Sequence, residues 1–268
     1  MALTNVQTIL DFIIQALYED KGIFNMCNRQ LDGFIKEHGA GTVYVPKLPQ
    51  LEAVTPPATN RKAVQGDTSM VPIVMQKSVV EIREEVESAY LNKKGRVLQG
   101  FIDGAAKAHR KNFDAKVILE AQTNGTQMNW NGAQLAAEDL DNIDAKFDEL
   151  EVDADDRFVV YPARIKTMVN MIDIIKSARG FNQNFLEKGV LEYNNLKLVA
   201  SARVAKIGGK ENVVGIWGPG MAFLLDKEMD KFSAYNSDPN VKATDHDYFA
   251  WYGYKLLDAA YAIVNKQQ

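Results

Sequence analysis

The spacing of hydrophobic residues predicts an amphipathic helix near the start of the chain, from Asn5 to Asp20. Large apolar side chains recur there every three or four residues, which places these on one face: Val6, Ile9, Leu10, Ile13, Ile14 and Leu17. Gly22 follows as a suitable C-terminal stop. This face can pack on the protein's own core or on a second copy, and the pattern supports both interpretations.

A longer helix is predicted from Gly95 to Ala121, a stretch that contains no proline. At 1.5 Å of rise per residue it would be on the order of 40 Å long, which exceeds the usual helix of a globular domain. A shorter helix is predicted from Leu135 to Leu150. Its polar residues are mostly acidic, and we interpret them as a solvated face because the spacing lacks the glycine of an EF-hand loop.

Alternating and continuous apolar runs predict strands over 42–45, 71–83 and 157–161, a hairpin within 189–204, and two short aromatic-rich strands near the C-terminus. The stretch 124–132 is predicted to be a turn-rich break. Between the first two strands lies PQLEAVTPPATNRKAVQGDTSM, residues 49–70, which contains three prolines. A connection of this length is uncommon inside a compact domain and points to function or disorder. Pro46 and Pro72 flank it and favour a protruding hairpin.

The composition narrows the class of protein. The chain has 268 residues, a net charge of −4 and a pI of about 5.5, a balance that argues against a protein built to wrap nucleic acid. No apolar run approaches the 18 or so residues of a membrane span, and the N-terminus lacks the basic start of a signal peptide. Cys27 is the only cysteine. We expect it to be a small buried hydrophobe in a chain that folds in a reducing cytosol.

Motifs for catalysis or cofactor binding are missing from the sequence. It contains no phosphate-binding glycine loop, no nucleophile elbow and no HExxH motif, and Gly208-Gly209-Lys210 is predicted to be a hairpin turn. His38, His109 and His246 lie far apart, and His246 is predicted to lie in a surface loop. We therefore predict no catalytic, cofactor-binding or metal-binding residues. The candidate contact residues are Arg61 and Lys62, in the middle of the proline-rich segment. Phosphate binding and a solvated loop tip are the alternatives for this pair.

The order of these elements resembles the major capsid protein family of tailed bacteriophages, the Hong Kong-type shell fold that encapsulins share. The residues that carry the resemblance are the proline-rich segment, the long helix, DRFVVYPARIKTMV and GVLEYNNLKLVASARV. It implies an α+β fold with the following parts: an N-terminal arm (1–39), an extended hairpin loop (40–80), a peripheral domain (81–156 and 222–268) with a spine helix (95–121), and an apical domain (157–221).

The resemblance implies a structural protein, not an enzyme, that self-assembles into the icosahedral shell around a phage double-stranded DNA genome. Its partners would be copies of itself in hexamers and pentamers, together with scaffold, portal or decoration proteins. DNA would be only a non-specific neighbour of the inner surface, and no membrane or cofactor is implied. The protein would be found in the virion, after assembly in the host cytoplasm. An encapsulin-like nanocompartment shell is the closest alternative; an enzyme with an unrecognised site and an adaptor module are the others. Some shell families cross-link a loop lysine to a neighbour, but no motif here transfers that chemistry to Lys47, Lys62 or Lys77.

Overall fold

The computed structural model describes residues 22–35, 41–47, 69–85, 96–130, 132, 134–172, 191–194, 196–226, 233–235 and 243–268. The predicted N-terminal helix and most of the proline-rich segment lie outside the described residues. In this part of the chain the strands are β1 Thr42–Pro46, β2 Met70–Val74, β3 Gln76–Glu85, β4 Thr126–Trp130, β5 Arg157–Pro162, β6 Leu191–Tyr193, β7 Leu196–Ser201, β8 Asn212–Trp217, β9 Met221–Leu225, β10 Ser233–Tyr235, β11 Ala243–Leu256 and β12 Ala262–Gln267. The α-helices are α1 Arg96–Asn124, α2 Ala137–Glu149 and α3 Lys166–Met171.

The strands form three sheets. A six-stranded sheet has the order β4-β12-β8-β5-β7-β6, with β5 parallel to β7 and antiparallel to β8. A second sheet is built on the long strand β11, which pairs with β3, β9 and β10. Strands β1 and β2 form a separate antiparallel ribbon.

Helix α1 connects the two larger sheets. The long helix predicted from the sequence is confirmed and has 29 residues. On the β3/β11 side, Asn112 Nδ2 donates to Ser78 Oγ at 3.0 Å. On the six-stranded side, Gln122 Nε2 donates to Asn212 Oδ1 at 2.7 Å. These polar contacts flank an apolar core in which the Phe113 ring lies 4.8 Å from that of Tyr252, so one helix holds both sheets in a fixed relation.

Helix α2 covers the six-stranded sheet at a position where only glycine fits. A Cβ atom on Gly215 would lie 2.7 Å from Ile143 Cγ2 and 3.1 Å from Phe147 Cε2. Both α2 residues are fully buried. The missing side chain in β8 therefore lets the apolar face of α2 lie directly on the strand.

Two local predictions are wrong. Residues 126–130, predicted to be part of a turn, form β4, because β12 from the C-terminus supplies a parallel partner that local sequence does not reveal. His246, predicted to lie in a loop, belongs to β11, which at 14 residues is a long strand. The predicted turn at Gly208-Gly209 is confirmed, with φ of +59° and +78° between the bridged residues Ile207 and Lys210.

The six-stranded sheet crosses the predicted domain boundaries at 156/157 and 221/222. Strands β4 and β12, assigned to the peripheral domain, are part of the same hydrogen-bonded sheet as β5 and β8, assigned to the apical domain. Neither boundary therefore coincides with the edge of a sheet. The division into named domains stays a prediction.

Candidate contact surface

The β1–β2 ribbon has one buried and one exposed apolar face. Val43, Val45 and Ile73 are buried on the inner face. The alternation that directs them inward directs the intervening residues outward. These exposed residues, which we call the ribbon strip, pair across the two strands: Thr42 with Val74, Tyr44 with Pro72, and Pro46 with Met70.

The ribbon is held against the body of the protein. Ile73 Cγ2 and Met75 Sδ approach Gly253 of β11 so closely that a Cβ atom there would lie 2.8 and 2.9 Å from them. At the other end of the ribbon, Lys47 Nζ lies 3.4 Å from Asp258 Oδ2. The direction of the ribbon is therefore fixed up to the last residue described before the proline-rich segment.

A second apolar surface lies beside the ribbon, on the face of β3 and β11 that is turned away from α1. Val79 is 44% exposed and pairs with Phe249, and Lys77 pairs with the half-buried Trp251. The Lys77 ammonium lies 4.0 Å from the centroid of the Phe249 ring, within cation–π range. We call this group of four residues the sheet strip.

In each strip the exposed or half-buried residues lie next to one another across two paired strands. Single exposed apolar side chains would need no explanation, but such groups do. Tyr44 and Val74 are each 60% exposed and Met70 is 56% exposed. Contiguous apolar surface of this kind marks protein–protein contact sites on soluble proteins. We therefore expect the two strips to be buried against the surface of another protein.

The predicted site residues Arg61 and Lys62 lie outside the described residues. Lys62 is also one of the three loop lysines considered for a cross-link. The other two loop lysines are engaged in non-covalent contacts, Lys47 with Asp258 and Lys77 with Phe249. Lys77 therefore belongs to the sheet strip, whereas Lys47 anchors one end of the ribbon to Asp258.

Cys27 and His109 are buried. A surface hollow of about 490 Å³ is lined in part by Cys27, Asp156 and Lys197. Burial raises the pKa of the Cys27 thiol, and the nearby Asp114 carboxylate adds to this effect, so the thiol is held in its unreactive protonated form. Asp156 is engaged with Lys197 at 3.1 Å. His109 is fully buried, with its Nδ1 3.0 Å from Ser78 Oγ.

The acidic helix α2 departs from the prediction of a wholly solvated face. The Asp139 carboxylate is buried and accepts a hydrogen bond from the backbone N–H of Ala136 at 2.7 Å, which caps the helix start. Burial raises the pKa of Asp139, although the Ala136 N–H acts in the opposite direction. Asp144 and Asp148 bind Arg157, at 2.6 and 2.8 Å.

Arg157, at the start of β5, is only 1% exposed and was not identified as special from the sequence. Its guanidinium binds the two α2 carboxylates and donates to the backbone carbonyls of Val152 and Asp153. It also lies 5.3 Å from the ring centroid of Phe147. The side chain therefore joins α2, the following loop and β5. A cation directly after the acidic residues Asp155 and Asp156 is the sequence signal that could have suggested it.

Among the described residues, no group of three or more histidine, cysteine, aspartate or glutamate side chains is arranged to hold a metal ion. No described helix is both long and apolar enough to cross a membrane.

No protein-family model matches the chain, and no curated protein sequence matches it. Solved structures do. The chain is similar to a protein of Mycobacterium phage Che8 (TM-score 0.64, 15% identity, 91% of each chain covered) and to the capsid structure of Cyanophage P-SCSP1u (0.60, 16%, 92% of this chain and 88% of that one). It is also similar to a virus-like particle from Pyrococcus furiosus (0.58, 9%, 97% and 98%).

These matches extend over nearly the whole chain, so the fold is that of the phage capsid shell proteins. The predicted α+β fold class and the resemblance to this fold are confirmed. At identities this low the similarity concerns the fold, and function has to be argued from the surfaces.

Proposed function

We propose that the protein is a structural protein that self-assembles into the closed icosahedral shell enclosing a phage double-stranded DNA genome. The observation that carries the proposal is the agreement of its fold with a phage capsid structure over 92% of this chain and 88% of that one. The exposed strips add physical support, because a shell subunit must bury apolar surface against its neighbours.

In this proposal the two strips are subunit contacts. The ribbon strip of one copy and the sheet strip of another lie in heterologous interfaces, which must close around an axis to give hexamers and pentamers. The proline-rich segment continues the ribbon, and Arg61 and Lys62 would contact a neighbouring subunit. The division into N-terminal arm, extended loop, peripheral domain and apical domain stays the one predicted from the sequence, with α1, Arg96–Asn124, as the spine helix.

The remaining assignments follow from the same proposal. Scaffold, portal or decoration proteins would bind the assembled shell, and DNA would lie near its inner surface without specific contacts. Assembly would occur in the host cytoplasm and the product would be the virion. We assign the protein a structural role rather than an enzymatic one; in the hollow beside Cys27 the thiol is held protonated and Asp156 is paired with Lys197.

Electron microscopy and light scattering of the purified protein test the proposal. A compact chain of 268 residues has a radius of gyration of about 18 Å, so a closed shell of many copies is easily distinguished from a monomer. We expect uniform closed particles. A species that stays monomeric or dimeric under all assembly conditions would contradict the proposal.

An encapsulin-like nanocompartment is the second candidate, favoured by the match to the Pyrococcus furiosus virus-like particle over 97% of this chain. The two candidate functions differ in what the particle encloses. Particles recovered from the native source should contain double-stranded DNA in the first case and protein cargo in the second.

Charge reversal tests the role of Arg61 and Lys62. The double variant Arg61→Glu/Lys62→Glu is expected to reduce particle yield while leaving the circular dichroism spectrum of the subunit unchanged. Lys107→Glu/Lys111→Glu, on the exposed face of α1, is the matched control. Equal yields from both double variants would remove this pair from the contact.

A further inference from the structure

One end of the six-stranded sheet is basic. Around the C-terminal ends of β5, β7 and β12 and the start of β8 lie six cationic side chains, together with the carboxylate of Glu211. The cations, which together we call the basic end, are Arg164, Lys166, Arg203, Lys206, Lys210 and Lys266.

Glu211 neutralises only part of this charge. Its carboxylate lies 2.6 Å from Arg164 Nη2 and 3.0 Å from Lys206 Nζ. The hydrogen bonds from Arg164 are the main reason that the pKa of Glu211 is lowered, and Lys206 acts in the same direction. Within the described part of the chain, Lys166, Lys210 and Lys266 have no ion-pair partner. The basic end therefore carries an uncompensated positive charge.

The opposite end of the sheet is acidic. The loop that leads into β5 exposes four carboxylate residues, which we call the acidic end: Glu151, Asp153, Asp155 and Asp156. Asp156 pairs with Lys197, whereas the other three have no ion-pair partner among the described residues. The loop is held by its backbone: the Asp153 carbonyl accepts from Arg157 Nε at 2.8 Å and the Asp155 carbonyl from Trp217 Nε1 at 3.1 Å. The loop thus presents the carboxylates of Glu151, Asp153 and Asp155 in a fixed place, without an ion-pair partner among the described residues.

The strand register separates the two charges. Arg157 at the start of β5 pairs with Trp217 at the end of β8, whereas Lys266 of β12 pairs with Asn212 at the start of β8. Six residues of strand span about 20 Å, and the Debye length at physiological ionic strength is about 8 Å. The two ends of one copy therefore cannot neutralise each other.

We propose that the acidic end of one subunit binds the basic end of the next, head to tail, within a ring of subunits. This inference rests on the proposed function, because it needs self-assembly, and it names the surfaces that orient the subunits in the ring. A contact between two different surfaces of identical chains is heterologous and closes into a ring when its rotation allows. Like ends repel, so charge selects the direction and register of the contact.

Charge reversal on the full chain tests the inference. The triple variant Lys166→Glu/Lys210→Glu/Lys266→Glu leaves three cations and four carboxylates at the basic end, so both ends are then acidic. The triple variant Glu151→Lys/Asp153→Lys/Asp155→Lys leaves three cations and one carboxylate at the acidic end, so both ends are then basic. None of these six side chains is buried or belongs to an ion pair of the described residues, so the fold should be retained. Each triple variant alone is expected to lose closed particles in electron microscopy, while Lys107→Glu/Lys111→Glu on α1 assembles like the wild type.

The decisive measurement is rescue. The sextuple variant, in which the two ends exchange charge, should form particles again. A one-to-one mixture of the two triple variants should recover rings of six, in which every contact joins opposite charges, whereas a ring of five cannot alternate two variants. Failure of the sextuple variant to assemble together with failure of the mixture to form rings, or normal assembly of each triple variant alone, would overturn the inference.

The same experiment separates other outcomes. If the wild type forms no particles, the proposed function fails. If the wild type assembles and the Lys166/Lys210/Lys266 variant assembles but no longer retains a DNA oligonucleotide that the wild type binds, the basic end binds a polyanion, and the head-to-tail contact is refuted. Loss of the folded circular dichroism spectrum in one triple variant would direct the test to Lys166→Glu/Lys210→Glu or Asp153→Lys/Asp155→Lys, which weaken the charge of one end without reversing it and should lower particle yield in part.

Discussion

At the scale of single residues, Arg157 shows how a side chain that looks unremarkable in sequence can join three elements. Burial of a guanidinium is unfavourable unless its charge and its donors are matched. Here Asp144 and Asp148 match the charge, and two backbone carbonyls use further donors. Asp144 and Asp148 of α2 therefore stabilise the fold by binding Arg157, in addition to any effect on solubility.

Replacing Arg157 with methionine should lower the free energy of unfolding by about 3 kcal/mol, because the carboxylates and carbonyls lose their partner. Urea unfolding of the unassembled chain measures this. The control is Lys197→Met, which breaks the exposed ion pair with Asp156 and should cost less than about 1 kcal/mol. Equal losses in the two variants would contradict a special role for Arg157.

Asp114 is a second residue whose environment sets a measurable property. Its carboxylate accepts a hydrogen bond from the Phe24 backbone N–H at 3.1 Å and lies 3.6 Å from Arg110 Nε. Burial nevertheless dominates and raises its pKa above the ordinary value of 3.8. The folded state therefore holds this proton more tightly than the unfolded state does.

It follows that the favourable contribution of Asp114 is complete below its ordinary pKa and is lost as the pH rises through the raised value. In Asp114→Asn this loss is absent. The free energy of unfolding of the variant minus that of the wild type should therefore increase from about pH 3 towards neutral pH. Urea titrations at several pH values measure the difference, and a difference that falls with pH would contradict the raised pKa.

At the scale of elements, the β1–β2 ribbon combines a structural face and a contact face. Its inner residues are buried, with Ile73 against Gly253 of β11, whereas its outer residues are exposed and mostly apolar. Successive residues point to opposite faces of a strand. A substitution on the inner face should therefore change the stability of the subunit, and one at the next position, on the outer face, should change assembly. The ribbon therefore allows stability and assembly to be tested separately.

Tyr44→Thr/Val74→Thr should reduce particle assembly and leave the free energy of unfolding within about 0.5 kcal/mol of the wild type, because both residues are exposed and threonine suits a strand. Val43→Thr, on the inner face, should instead destabilise the subunit by burying a hydroxyl. Light scattering and urea unfolding measure the two effects. Unchanged assembly of the double variant would exclude the ribbon strip from the subunit contact.

At the scale of the whole molecule, α1 holds two sheets and the ribbon extends from one of them. The sheet strip lies on the β3/β11 sheet and the ribbon strip on the neighbouring β1–β2 ribbon, whereas the oppositely charged ends belong to the six-stranded sheet. The proposed apolar contacts would supply most of the affinity, since burial of apolar surface dominates association. The charged ends would supply orientation.

The proline-rich segment 49–70 should be cleaved readily by trypsin in the unassembled chain, since Arg61 and Lys62 provide cleavage sites. In assembled particles the same sites should be protected, because neighbouring subunits would cover them. Mass spectrometry of the fragments, with the two states at equal protease concentration, measures the difference. Equal cleavage in both states would mean that the segment is not part of the contact.

Much of the fold could be predicted from the sequence because its signals are local. The uninterrupted helical spacing of α1, the hairpin 191–201, the glycine turn at 208–209 and the alternation in β1 each depend on neighbours within a few residues. The order of these elements also pointed to the shell fold, which the solved structures confirm. By contrast, β4 was missed because its partner β12 lies more than 130 residues further along the chain.

The sequence by itself thus determined the elements, their order and the presence of a long proline-rich connection, since backbone preference and hydrophobic periodicity act over short distances. Only the tertiary structure decided which charges are used and which are free. It buries Arg157 between the α2 carboxylates, pairs Asp156 with Lys197, and leaves Lys210 and Asp155 exposed at opposite ends of one sheet. Charge pairing depends on distances in space, and the strand register that sets those distances joins residues far apart in the chain.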